Sequence, residues 1–185
     1  MPNTQKTIKS LCIYGALFAI LLSPILHFLY GWSDDNLFVG LCAPINESPW
    51  EHMKLVFTPL VIFAFIEYVI LNGKVKNYCF VLLKEICTAI IFILLVFYTY
   101  TSIIGHSILA IDISSYIIAI ILAKYFGYQL LTGQFEQYEF NGINILSIFL
   151  LTTLAVFFIY ATFYPPHINL FLDPVSHTYG IYKIH

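Results

Sequence analysis

Five stretches of the chain run apolar for about twenty residues each, the length a helix needs to cross the hydrocarbon core of a bilayer. They fall at residues 11–30, 52–71, 82–100, 107–126 and 143–163. The segments between them are short and polar. This pattern predicts an all-α protein, an integral membrane bundle of about five transmembrane helices, built as a single domain over residues 1–185. The stretch after Pro165 and Pro166 is too polar and too broken for a sixth span and reads as a tail over 165–185. The first apolar run follows lysines, as a signal peptide would. It is too long for a typical signal core and has no small-x-small cleavage site, so it is expected to remain as the first helix. No internal repeat is visible.

Composition narrows the class. The chain is 60% hydrophobic and 10% charged, with a mean hydropathy of +0.86. These values exclude a soluble domain and a disordered one. A formal charge of −2 gives no reason to expect nucleic acid as a partner; the bilayer is the partner implied. Of the cysteines Cys12, Cys42, Cys79 and Cys87, only Cys42 falls in an exposed segment, and no CxxC spacing exists. A disulfide framework is therefore not expected.

Lysines set the expected orientation, because cytoplasmic loops carry the excess of positive charge. Lys6, Lys9, Lys74, Lys76, Lys84 and Lys124 fall on one side of a five-span chain, and Lys54 and Lys183 on the other. The reading is a multi-pass protein of the cell membrane with a cytoplasmic N-terminus and an extracytoplasmic C-terminus. Tyr30, Trp32, Trp50, Tyr100 and Tyr164 sit at predicted outer interfaces, and Tyr78, Tyr125 and Tyr128 at inner ones, where amphipathic rings prefer to lie. All six histidines, His27, His52, His106, His167, His177 and His185, then share the outer side with Asp34, Asp35, Glu47, Glu51, Asp112 and Asp173. The polar run from Thr132 to Gly142 reads as an inner connection.

Three segments can carry chemistry. The first runs from Ala43 to His52. Within it, Ser48, Pro49 and Glu51 form a capping box: Ser as N-cap, Pro at N1, and Glu at N3 reaching back to the cap amide. That accounts for those residues without function and leaves Asn46, Glu47 and His52 unexplained. The second segment holds Asp173-Pro174, which can open a helical turn, with His177 four residues on and His167 just before. The apolar Ile168, Leu170, Phe171 and Leu172 favour folding of the tail back onto the bundle. The third is Asp112, more than one turn inside span four, with His106 as its nearby partner. An ionisable residue at that depth is a functional candidate by default, the alternative being a structural hydrogen bond between helices. At the opposite end, Glu85 reads as a local pair with Lys84, and Glu67 as a lower station of a proton path from Asp112 that nothing in the sequence connects.

The string Pro44-Ile45-Asn46-Glu47-Ser48-Pro49-Trp50-Glu51-His52-Met53-Lys54 resembles the signature of a family of small, uncharacterised bacterial integral membrane proteins, as do Asp173-Pro174 and Tyr179-Gly180. The resemblance covers most of the chain. It implies a multi-pass membrane protein and carries no established activity.

Three functions stay open. One is a metal-dependent membrane hydrolase of lipid-like or small interfacial substrates. There His52, Asp173 and His177 bind a divalent transition metal such as zinc, and Glu47 and Asp112 are the acid/base groups. His27, Asn46, Glu51, His106 and His167 are further candidates. The second is a small transporter or proton-coupled permease subunit, resting on Asp112 and Glu67. The third is a non-enzymatic scaffold or sensor whose outer histidines switch with acid. For convergence, Glu47, His52, Asp173 and His177 are expected to meet at the outer mouth of the bundle, near His27 or His106. Oligomeric state is open.

Overall fold

A computed structural model describes residues 2–133 and 142–181, with side chains from residue 4. The chain is all-helical: α1 (Pro2–Trp32), α2 (Leu37–Gly40), α3 (Pro49–His52), α4 (Lys54–Leu71), α5 (Tyr78–Ile104), α6 (Leu109–Leu131) and α7 (Ile143–Phe163). Among the described residues the only β pairing is an isolated bridge between Leu172 and Tyr179. Five helices are long and apolar enough to cross a membrane, with α3 and α4 joined through Met53 into one of them. The polar run at residues 134–141, and Lys183 and His185, lie outside the described residues.

The helices outrun the apolar windows that predict them. The first window opens at residue 11, yet α1 spans 31 residues, about 46 Å at 1.5 Å per residue. The backbone ladder continues as long as each N–H finds the carbonyl four residues back, whether or not the side chains are apolar. Termination is local chemistry. Asp34 and Asp35 take left-handed conformations (φ 53° and 56°), and their amides close onto the carbonyls of Gly31 and Tyr30. Asn72 (φ 41°) ends α4, and Gly105 (φ 88°) ends α5. Asn and Asp reach this region more readily than other L-residues, and Gly does so freely.

Packing puts α5 most extensively against α6 and also against α4 and α7, while α1 lies on α4 and α6. Ala19, Ala89, Ala119 and Ala123 are fully buried along these contacts, where small side chains let helix backbones approach closely. The head of α7 joins the head of the α3–α4 span through rings: Trp50 sits 5.0 Å from Phe157 and 4.7 Å from Phe158, and Phe57 lies 5.3 Å from Phe158. The tail folds back as expected. Phe171 is buried against Trp50 at 4.9 Å, and the Trp50 amide donates to the Leu170 carbonyl (2.9 Å).

Pro59 illustrates how the middle of the bundle is closed. Proline has no N–H, so the carbonyl four residues back, that of Leu55, loses its helical partner. The hydroxyls of Ser23 (2.9 Å) and Tyr116 (3.1 Å) both lie within hydrogen-bond distance of it and of each other, so one can donate to the carbonyl while the other donates to its partner hydroxyl. One unmade bond in α4 thus ties α1, α4 and α6 together.

Candidate functional site

The end of the bundle that carries the 33–48 connection and the tail brings His27, Glu47 and His52 into one group. Their ligand atoms all lie within 4.8 Å of one another. His27 projects from α1 one turn beyond Pro24. His52 closes α3. Glu47 sits just before the helix cap at Ser48, whose hydroxyl accepts from the Glu51 amide (3.3 Å). The cap therefore sets the angle between Glu47 and His52, as its sequence implies.

The Glu47 carboxylate bridges both rings. His52 Nε2 is 3.4 Å from Oε2, and His27 Nε2 is 3.8 Å from Oε1. The rings lie 5.1 Å apart. His52 Nδ1 is 2.9 Å from the Ser48 carbonyl, a pure acceptor, so Nδ1 carries the hydrogen. In a neutral imidazole, Nε2 then has a lone pair, and it faces a carboxylate that also has only lone pairs. A proton or a cation must stand between them. The hydrogen bond to His52 holds the Glu47 carboxyl below the ordinary carboxylate range, against its partial burial. Ligand atoms on a tetrahedral zinc about 2.0–2.1 Å from the metal stand about 3.3 Å apart; the His52–Glu47 edge is near that value, and the His27 ring must draw in for all three to share one ion.

The other expected site residues go elsewhere. Asp173 is buried, but its carboxylate accepts from the Val175 amide (2.8 Å) and the Ser176 hydroxyl (2.7 Å). It caps its own turn and faces Glu47 only through space. His177 stands outside the group: its amide closes onto the Asp173 carbonyl (2.9 Å), but its backbone is left-handed (φ 57°) and its ring is exposed. The turn is too short to continue as a helix, so the expected four-residue face does not form. His167 is exposed and stacks on Tyr179 at 4.5 Å. His106 is exposed in the turn between α5 and α6.

Asp112 takes a 2.5 Å hydrogen bond from Tyr100, and Tyr100 also accepts from the Ile108 amide (3.1 Å). Its polar partner is thus a tyrosine of α5 in place of His106, and its charge acts on His52 through space. Asn46 works as a clasp. It accepts from the Ser48 amide (3.0 Å) and donates to the Gly180 carbonyl (3.2 Å), fastening loop to tail. Glu51 is half of the expected capping box. Its amide is capped, but its carboxylate turns away to Lys54.

Sequence reasoning missed that partner. Lys54 is 1% exposed, and its ammonium donates to Glu51 Oε2 (2.7 Å), the Thr162 hydroxyl (2.7 Å) and the Gly40 carbonyl (2.8 Å). These partners come from α3, α7 and α2. The only sequence signal was a lysine three residues after a glutamate on an apolar helix. Lys124 is likewise buried rather than placed at a membrane surface, and Glu85 pairs with it in place of Lys84 (3.0 Å).

A model of a protein family described only as of unknown function, DUF6512, matches residues 1–181. None of the curated proteins and none of the solved structures matches the chain.

Proposed function

The chain belongs to DUF6512, a family of unknown function, and we propose from the chemistry of its site that it is a multi-pass membrane protein binding a divalent transition metal through His27, Glu47 and His52. The supporting observation is the pair of opposed acceptors. The Ser48 carbonyl commits His52 Nδ1 as donor, so in the neutral ring Nε2 and the Glu47 carboxylate both offer lone pairs, and only a proton on Nε2 or a cation joins them. Two imidazoles and a carboxylate are the donor set that zinc takes in hydrolytic sites, with the fourth position left to water. Such water becomes a nucleophile near neutral pH. Phe28, exposed beside His27 at 4.8 Å, and exposed Trp32 stacked on Phe28 at 5.8 Å flank the site with open aromatic rings. This placement suits hydrolysis of a substrate held in the membrane interface, with Asp112 held by Tyr100 as a nearby carboxylate. His52 takes the ligand role assigned from sequence. Glu47 moves from base to ligand, and His27 replaces Asp173 and His177.

The same opposed acceptors support a second reading, in which the intervening cation is a proton and the group senses acid. Purified protein, metal-stripped and titrated with zinc, separates the two. One equivalent bound, lost in His52→Ala and in Glu47→Gln, is expected. No saturable binding in the wild type would remove the metal reading and leave the proton one.

The orientation remains that of the lysine asymmetry. Lys54 and Lys124 are buried in ion pairs and drop out of it. Lys6, Lys9, Lys74, Lys76 and Lys84 stand at one end, and Lys183 lies outside the described residues. The His27–Glu47–His52 group then faces outward.

A further inference from the structure

At the opposite end of the bundle, three charged side chains from three helices meet out of water. Lys124 of α6 lies 2.9 Å from Glu67 Oε1 of α4 and 3.0 Å from Glu85 Oε2 of α5. Glu67 and Glu85 are each 2% exposed and Lys124 3%. Tyr78 at the start of α5 donates to the other Glu67 oxygen (2.7 Å), and the thiols of Cys12 on α1 and Cys79 on α5 are further titratable groups within electrostatic range. The packing is made for these groups. A Cβ on Gly127 would come within 1.9 Å of Glu85 Oε1, and one on Gly15 within 2.6 Å of the Lys124 stem. Both helices give up a side chain exactly where a charged one must pass, so the arrangement is built into two backbones.

The charges do not balance. Two carboxylates and one ammonium leave one uncompensated negative charge in an apolar bundle, where an unpaired ion costs several kcal/mol or more. A fixed structural ion pair needs only one carboxylate. We propose that Glu67, Glu85 and Lys124 form a proton-binding site, holding one exchangeable proton besides the lysine's own, and that Glu85 carries it. The assignment follows from the donors. Glu67 accepts from both Lys124 and Tyr78, one on each oxygen, and hydrogen bonds to the charged form favour it. Glu85 accepts from Lys124 through one oxygen. Tyr78 connects the site to the end of the bundle where the 72–77 loop lies, and its ring packs at 5.8 Å on exposed Tyr68. Protons therefore enter from that end. Toward the other end, buried Leu60, Ala119, Ile120 and Ala123 separate the site from the Ser23–Tyr116 pair. The proton is loaded and released on that one side only.

Infrared spectroscopy of the whole protein in membranes tests this directly. The wild type at neutral pH should show a carboxylic-acid C=O band that shifts down in D2O. Glu85→Gln should abolish the band. Lys124→Gln should enlarge it, because the Glu67 carboxylate would lose its counter-charge in a dry site and take a proton as well. The band should persist in Asp112→Asn and in Glu51→Gln, which excludes these two further acids of the spanning helices. The proposal is overturned if the wild type lacks the band at neutral pH, or if the band survives Glu85→Gln. The wild-type measurement decides the first point even should a variant fail to fold.

Discussion

Replacing Lys54 by methionine tests whether the head of the bundle is held by a buried ion pair. The side chains are similar in length, so the change removes the ammonium and little volume. Glu51, 2% exposed, would keep the Ile45 amide (3.1 Å) and the Thr162 hydroxyl (3.4 Å) but lose its only charged partner. The Gly40 carbonyl would lose its donor as well. Removing one partner of a buried pair costs about 3–5 kcal/mol, because the other charge stays buried and uncompensated. That is a large part of a total stability of about 5–15 kcal/mol. The second substitution carries the diagnosis. Glu51→Leu in the Lys54→Met background removes the stranded charge, so the double variant should regain at least about 1–2 kcal/mol over Lys54→Met alone. Equilibrium unfolding in micelles, followed by the fluorescence of Trp50, would measure all four members of the cycle. A loss under about 1 kcal/mol for Lys54→Met, or a double variant no better than the single, would refute a dry, charged Glu51–Lys54 pair.

Trp50→Ala should cost about 3–5 kcal/mol, and it should release the tail to limited proteolysis near Leu170 and Phe171, because that ring carries the contacts to Phe158 and Phe171; a tail still protected in this variant would mean that Asn46 and Gly180 suffice. The Glu47 carboxyl is held below its ordinary 4.5, so its contribution is complete above that pH and fades as the pH falls through the lower folded-state value. The difference in thermal midpoint between wild type and Glu47→Gln should accordingly shrink toward zero in acid; a difference that grows in acid would reverse the sign of the interaction. Exposed Cys42, on the histidine side, should react with a membrane-impermeant maleimide in intact cells, whereas a cysteine placed at Lys74 should react only after permeabilisation; the opposite pattern would invert the orientation.

Much of this protein could be read from the order of its residues. Apolar runs are local, and a helix satisfies its backbone within itself, so the five helices and the end of the bundle that gathers the histidines follow from sequence alone. The Ser48 cap and the turn at Asp173-Pro174 were legible for the same reason: each depends on neighbours a few residues away; the return of the tail was legible from its apolar residues, but its seat on Trp50 was not. The partners of charged side chains depended instead on which helices touch, and no periodicity encodes that. Glu85 could be paired from sequence only with the lysine beside it, yet α6 delivers Lys124 across the gap that Gly127 leaves. Glu51 was assigned to the cap amide, yet Lys54 and Thr162 claim its carboxylate once α7 packs on the α3–α4 head. The four-residue spacing from Asp173 to His177 predicts a shared face turned toward Glu47, but a turn of that length does not keep helical direction. His27 from α1 fills the position because α1 lies against α4. The sequence determined which residues reach the two ends of the bundle; helix packing decided which of them meet.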